Sequence, residues 1–210
     1  ASDVYKRQVQ DIIGEPVKQI LGASDTSFHG MGREDIDVRC LGSGRPFVLE
    51  IKNPRLREFE LSKIEEKINS NKPEKVRVNS LKWCTKKDVS RVKETRSEKS
   101  YTIRFKVDNP ISEQEAAKSI EALSGVTLEQ ETPKRVSHRR AAKTRKRRVT
   151  SISNILVEED EIQFSLRCEA GTYVKELVHS DEGRTSPSVS SVIERECVVL
   201  WLDVDEIHAD

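Results

Sequence analysis

Residues 101–125, YTIRFKVDNPISEQEAAKSIEALSG, join two elements of different period, and that change decides the fold class. Tyr101, Ile103, Phe105 and Val107 alternate with polar residues, which describes a half-buried strand with one apolar face. Residues 112–123 follow as a helix. Ser112 and Glu115 form a Ser-x-x-Glu capping box at its start, and Gly125 closes it.

Upstream, residues 9, 12, 13, 17, 20 and 21 are apolar at helical spacing, but Gly14 and Pro16 interrupt them, which predicts two short helical turns or a kinked helix. Ile36, Val38 and Cys40, then Phe47, Leu49 and Ile51, alternate on either side of GSGRP and read as the two strands of a hairpin. Residues 60–69 read as a helix and 75–83 as a strand. Downstream, 149–157 and 162–168 are strands around the acidic turn EEDE, and a short helix covers 172–179. A polar Gly/Ser/Pro-rich loop, with room for another short helix, leads to a final strand at 197–204. Helices and strands mix without regular β-α-β alternation, so the expected class is α+β.

The chain of 210 residues suits one large domain or two small ones, and 35% apolar with 35% charged residues describes a folded, polar-surfaced protein. The first eight residues, ASDVYKRQ, stand outside the periodic pattern and are set aside as a leader, leaving 9–210 as the domain. No stretch approaches the about eighteen apolar residues of a membrane span, and no signal-peptide core follows the N-terminus, so an intracellular protein without membrane association is expected. Cys40, Cys84, Cys168 and Cys197 lie far apart without a C-x-x-C pair. They suggest reduced, mostly core thiols and neither a metal site nor a disulfide framework.

A formal net charge of +1 predicts no partner, but its distribution does. From Lys134 to Arg148, KRVSHRRAAKTRKRR holds nine Lys or Arg in fifteen residues and no acid. Such density suits a phosphate backbone, with Thr132 and His138 adding hydrogen-bonding capacity; the bland alternative is a solvated face.

Two other stretches carry candidate chemistry. GREDIDVR, residues 32–39, is either a turn with a solvated ion-pair cluster or a loop presenting an acid that nearby arginines keep ionised. Of its acids, Asp35 falls in the loop and Asp37 in the following strand. CEAGTYVKELVHSDEGRTSPSV, residues 168–189, passes from a strand through Gly171 into a helix with Lys175 on its first turn. Tyr173, Val174, Leu177 and Val178 can orient that helix so that Lys175 projects its charge over the sheet end; alternatively Lys175 is a surface lysine.

Together and in this order, FHGMGREDIDVR, TPKRVSHRR and AGTYVKELVHSDEGRTSPS resemble the catalytic domain of the Pus-ten family, the tRNA pseudouridine synthases of archaea and eukaryotes. The resemblance runs from about Val9 to the C-terminus. It implies a mixed, mostly antiparallel sheet flanked by helices around a central RNA-binding cleft. It implies that Asp35 is the essential aspartate and that Asp37 is structural, inward-facing or ion-paired. Tyr101 would stack on the target uracil, Lys175 would pair with Asp35 and lower its pKa, and Leu200, with Leu202 as alternative, would complete an apolar wall. Arg33 and Arg39 would fix Asp35, with Arg33 alternatively facing the RNA, while Arg135, His138, Arg139 and Arg140 hold RNA phosphates. The family's N-terminal accessory domain with paired C-x-x-C sites has no counterpart in these residues, and the natural protein is expected to extend upstream.

The implied reaction breaks the uridine N1 to C1′ bond, turns the uracil and rejoins it through C5. No redox step is involved, so no cofactor and no metal are expected. The implied substrate is the T-loop of tRNA, at position 55 with position 54 as second candidate, and the implied state is a monomer. The competing readings are a noncatalytic RNA-binding fragment and a structural ribonucleoprotein component. Asp35, Tyr101 and Lys175 together speak against both, because an RNA binder gains nothing from a carboxylate facing phosphates.

Overall fold

The computed structural model describes residues 2–35 and 37–209. In chain order the elements are α1 (Ser2–Leu21), β1 (Asp25–Gly30), β2 (Arg39–Cys40), β3 (Phe47–Lys52), α2 (Leu61–Asn71), α3 (Lys86–Glu94), β4 (Lys99–Val107), α4 (Glu113–Glu121), β5 (Thr127–Gln130), β6 (Arg145–Glu158), β7 (Glu161–Cys168), α5 (Val174–His179), β8 (Thr185–Ser186), α6 (Val189–Ile193) and β9 (Cys197–Ile207), with a 3-10 turn at Lys134–Val136. They divide into two units, residues 1–36 with 45–95, and residues 37–44 with 96–210.

In the first unit, α1 is one helix with Pro16 inside it rather than two short helical turns, and it begins ahead of Val9, at Ser2. Pro16 has no N–H for the carbonyl of Ile12, one turn earlier, and the side chain of Asn71 at the end of α2 supplies the missing donor, Nδ2 to Ile12 O at 3.0 Å. Gly14 is required by packing: a Cβ there would lie 2.4 Å from Thr26 Oγ1 on β1. Ile13, Val17 and Leu21 of α1 meet Ile64 and Ile68 of α2 and Val78 in a shared core.

Two sequence expectations fail in this unit. Residues 47–51 do form a strand, but β3 pairs antiparallel with β1, from Asp25 opposite Lys52 to Gly30 opposite Phe47, and not with the residues before GSGRP. Of those, Ile36 lies outside the described residues. Segment 75–83 joins no sheet, and Ser80 within it has φ 57. Its hydrogen bonds go instead to side chains of α2: Asn69 brackets Val78, donating to its carbonyl at 2.8 Å and accepting from its N–H at 2.7 Å, and Glu65 accepts from Leu81 N at 3.3 Å. An apolar alternation reports burial, and here side-chain amide groups satisfied the backbone in place of a neighbouring strand.

The second unit is a seven-stranded sheet in the order β2-β9-β4-β7-β6-β5-β8. Every pairing is antiparallel except that of β2 with β9. Ile103 and Phe105 of β4 and Ile162 and Phe164 of β7 are fully buried, and the two phenylalanine rings meet edge to face at 5.9 Å. Each such side chain contributes roughly 1.5–3 kcal/mol by leaving water. The helix α4 packs on β6 and α6, while α5 packs on β9 and α6. The N-terminus of α4 is capped by Ser112, whose Oγ accepts from Glu115 N at 3.3 Å. Ser112→Ala is expected to lower stability by about 1 kcal/mol in urea unfolding.

Candidate active site

The charged stretch 32–39 crosses from one unit to the other, Asp35 ending in the first and Asp37 beginning in the second. Asp35 is half-buried, and Asp37 is exposed. The carboxylate that the structure joins to Lys175 is Asp37: the lysine Nζ donates to Oδ1 at 2.8 Å and to Oδ2 at 2.7 Å. The lysine is the more enclosed partner, its side chain 17% exposed against 63% for the aspartate. Partial burial pushes the Asp37 carboxyl up, but the hydrogen bonds and charge of Lys175, with a smaller contribution from Arg135, outweigh it and hold its pKa below the ordinary value. The pair's contribution to stability is therefore fully present above the unfolded carboxyl pKa of about 3.9 and is lost as pH falls through the lower folded value. Lys175→Met is expected to raise the Asp37 pKa, and a carboxyl NMR titration unchanged by the substitution would show that the pair does not form in solution.

Lys175 reaches this position because the turn before it is pinned. Gln130, wholly buried on β5, donates Nε2 to Tyr173 O at 3.0 Å and accepts from Tyr173 N at 2.9 Å. The next residue, Glu176, is only 1% exposed and receives a two-pronged contact from Arg135, Nε to Oε1 at 2.5 Å and Nη2 to Oε2 at 3.1 Å. Arg135, expected on the RNA, is thus the counter-ion of a buried carboxylate. Thr132 also differs from expectation. It is buried, donating to Ala141 O at 2.7 Å and accepting from Lys143 N at 3.1 Å and Arg145 Nη1 at 2.9 Å, so its hydroxyl organises the basic loop from within. His138, Arg139 and Arg140 are exposed on that loop.

Arg39, expected to fix Asp35, grips Asp203 with Nε at 2.8 Å and with Nη2 as well. The parallel register of β2 on β9 places the two residues directly opposite each other. Arg33 is exposed. Tyr101 is 3% exposed on β4, between Leu166 of β7 and Val204 of β9. Leu200 is 45% exposed at a register shift, where Val199 faces Phe105 and Trp201 faces Arg104, whereas Leu202 is buried opposite Ile103. Cys168 and Cys197 are buried, as core thiols should be, but Cys40 and Cys84 are exposed. Burial and the nearby Asp108 push the Cys197 thiol up to about 12. Among the described residues no group of three or more His, Cys, Asp and Glu could hold a metal ion, and no helix is long and apolar enough to cross a membrane.

A family model described as Pus10, C-terminal, matches residues 1–208. The chain belongs to this Pus10 C-terminal family. Curated relatives named tRNA pseudouridine synthase Pus10 are 42% identical over 204 residues in Methanocaldococcus jannaschii, 41% in Methanothrix thermoacetophila and 38% over 206 residues in Thermofilum pendens. Each alignment takes in 97% of this chain but only 44%, 45% and 46% of the respective relative, so the chain spans about half the length of the Pus10 proteins it matches. Its fold is similar to chains in the crystal structure of a Cbf5-Nop10-Gar1 complex, with a TM-score of 0.59 at 16% identity, and in that of the archaeal box H/ACA sRNP Nop10-Cbf5 complex, with 0.53 at 14%. These neighbours cover 95% and 94% of this chain, which takes in 45% and 43% of theirs. The likeness shows that the mixed α+β fold with its mostly antiparallel sheet is shared with these chains over nearly the whole of this one.

Glu176 and Asp203 are the site-supporting residues that sequence reasoning missed. Their partners lie 41 and 164 positions away, and no local pattern announces either pairing.

Proposed function

We propose that this chain isomerises uridine to pseudouridine in the T-loop of tRNA, as an intracellular monomer acting without a cofactor, in the RNA-binding cleft that its family resemblance implies. The observation that carries the reading is the match to the Pus10 C-terminal family over residues 1–208. The Asp37–Lys175 pair supports it by tying the charged stretch to the Lys175 helix, two of the three motifs on which the resemblance stands.

Asp35 supplies the carboxylate that acts on the ribose, as nucleophile or as base, when the N1 to C1′ bond breaks. Lys175 balances charge as the uracil leaves, with Asp37 holding its ammonium in place. Tyr101, 3% exposed on β4, is the aromatic that the resemblance sets against the base, where stacking is worth roughly 1–3 kcal/mol and offsets much of the cost of drawing a uridine out of its stack. Leu200 closes the apolar side of the site, Arg33 meets the RNA, and His138, Arg139 and Arg140 contact phosphates without reading sequence.

The test is release of tritium from tRNA labelled at uridine C5. Release by this chain is the expected result. Tight tRNA binding with no release would assign the chain to RNA binding without catalysis.

A further inference from the structure

Arg145 and Arg147 begin β6 opposite Gln130 and Leu128 of β5. Gln130 and Leu128 are fully buried, and directly opposed residues project to one side of a sheet, so the two arginines lie on the inner face. Lys146 and Arg148 alternate with them and are exposed on the other.

Their bonding differs from that of the arginines that grip an acid, and Arg195, whose Nη1 donates to the carbonyls of Ile193 and Glu194, shares it. Arg39, Arg104, Arg135, Arg167 and Arg184 each meet a carboxylate. Arg145 and Arg147 meet only neutral oxygens: Arg145 Nη1 donates to Thr132 Oγ1 at 2.9 Å and Lys143 O at 3.0 Å, and Arg147 Nη1 donates to Lys146 O at 2.6 Å. The Nε of Arg147 is buried without a hydrogen-bond partner among the described residues. In Arg39 and Arg135 the Nε and Nη2 edge is the one that grips an anion. In Arg147 the edge carries none, and a buried donor left so calls for an explanation.

The edge faces Gly171, where a Cβ would come into van der Waals contact, 3.4 Å from Nε and 3.5 Å from Nη2. The glycine also has φ +82, the left-handed region that a side chain disfavours. Two residues on, the half-buried Tyr173 ring lies under the Arg145 guanidinium, 6.0 Å from centroid to Cζ, and Gln130 holds its backbone.

We infer that Arg147, seated on Gly171, is the anchor for a backbone phosphate of the RNA strand, with Arg145 and Tyr173 flanking the adjacent nucleotide. The inference rests on the reading of the chain as an RNA-modifying enzyme and adds a subsite to it. A phosphate on the Nε and Nη2 edge would receive two charge-assisted hydrogen bonds, the geometry in which Arg and Lys are least interchangeable.

The experiment measures binding of an unmodified tRNA transcript by anisotropy across a salt series, for the wild type, Arg147→Ala, Arg147→Lys and Arg148→Ala, with thermal unfolding of each. Arg147→Ala is expected to raise Kd about tenfold and to reduce the slope of log K against log salt by about 0.7–0.9. Arg147→Lys is expected to retain the slope while losing affinity, since it keeps the charge and lacks the paired donors. If folded Arg147→Ala has the wild-type slope, or loses no more than Arg148→Ala, the anchor is refuted while tritium release by the wild type leaves the proposed reaction standing. Should Arg147→Ala not fold, Arg147→Lys decides: affinity equal to wild type refutes the paired contact. A wild type that neither binds the transcript nor releases tritium overturns both the subsite and the reaction.

Discussion

Asp35→Ala is expected to abolish tritium release from C5-labelled tRNA while leaving tRNA affinity within about twofold of the parent. The sizes separate because the two processes draw on different groups. On the proposed reading, binding rests on cations meeting phosphates, and removing one carboxylate takes away no attraction. The proposed cleavage at C1′ needs a carboxylate that is not already committed, and Asp37, two residues along, is engaged by both of its oxygens with Lys175. Single-turnover release at saturating enzyme is the appropriate measurement, since it removes affinity from the comparison. Release by the variant at a rate near the parent's would exclude Asp35 from the chemistry. Asp37→Asn would then be the next variant to make.

Arg135→Ala is expected to destabilise the second unit by about 3–5 kcal/mol, far more than a change at an exposed cation of the basic loop. The reason lies in its partner. Glu176 is 1% exposed, and both of its oxygens are met by the Arg135 guanidinium. Truncating the arginine leaves an uncompensated carboxylate in a helix whose Val174, Leu177 and Val178 are also buried. Urea unfolding followed by circular dichroism checks the prediction, with Arg140→Ala as the comparison, expected within about 0.5 kcal/mol of the parent. Equal stability of the two variants would return Arg135 to the set of simple RNA contacts. The paired substitution Arg135→Met with Glu176→Leu is expected to recover much of the loss, because a buried ion pair exchanged for apolar groups is often neutral or better.

The parts of the fold legible in the sequence are those whose hydrogen bonds stay within a repeating element. Strand β4, helix α4 and strand β7 announce themselves by period and by the Ser112 cap, and each lies within two residues of expectation. The errors fall where a side chain completes the backbone. Asn71 rescues α1 from Pro16, and Asn69 with Glu65 holds 75–83 away from any sheet. Neither asparagine carries a signal that distinguishes it from a solvated one. The same limit applies to the site. The basic run from Lys134 to Arg148 is visible as charge, yet the division of labour within it depends on which residues have a carboxylate to meet. Arg135 has Glu176, and Arg147 has none among the described residues.

The shortest strand in the molecule bears on its behaviour at high concentration. Among the described residues, β2 covers the outer side of β9 at Asp203 and Val204 alone, secured by Leu41 N to Val204 O at 2.8 Å and by the Arg39–Asp203 contact. The rest of that edge has no neighbouring strand among the described residues, and Val198 is 65% and Leu200 45% exposed there. An edge of this kind is a template for another strand, and Arg39, exposed and cationic, is the residue that keeps its one cover attached. Loss of that cover lengthens the edge open to pairing, so the route from folded protein to aggregate begins with the detachment of two residues, well before either core is lost.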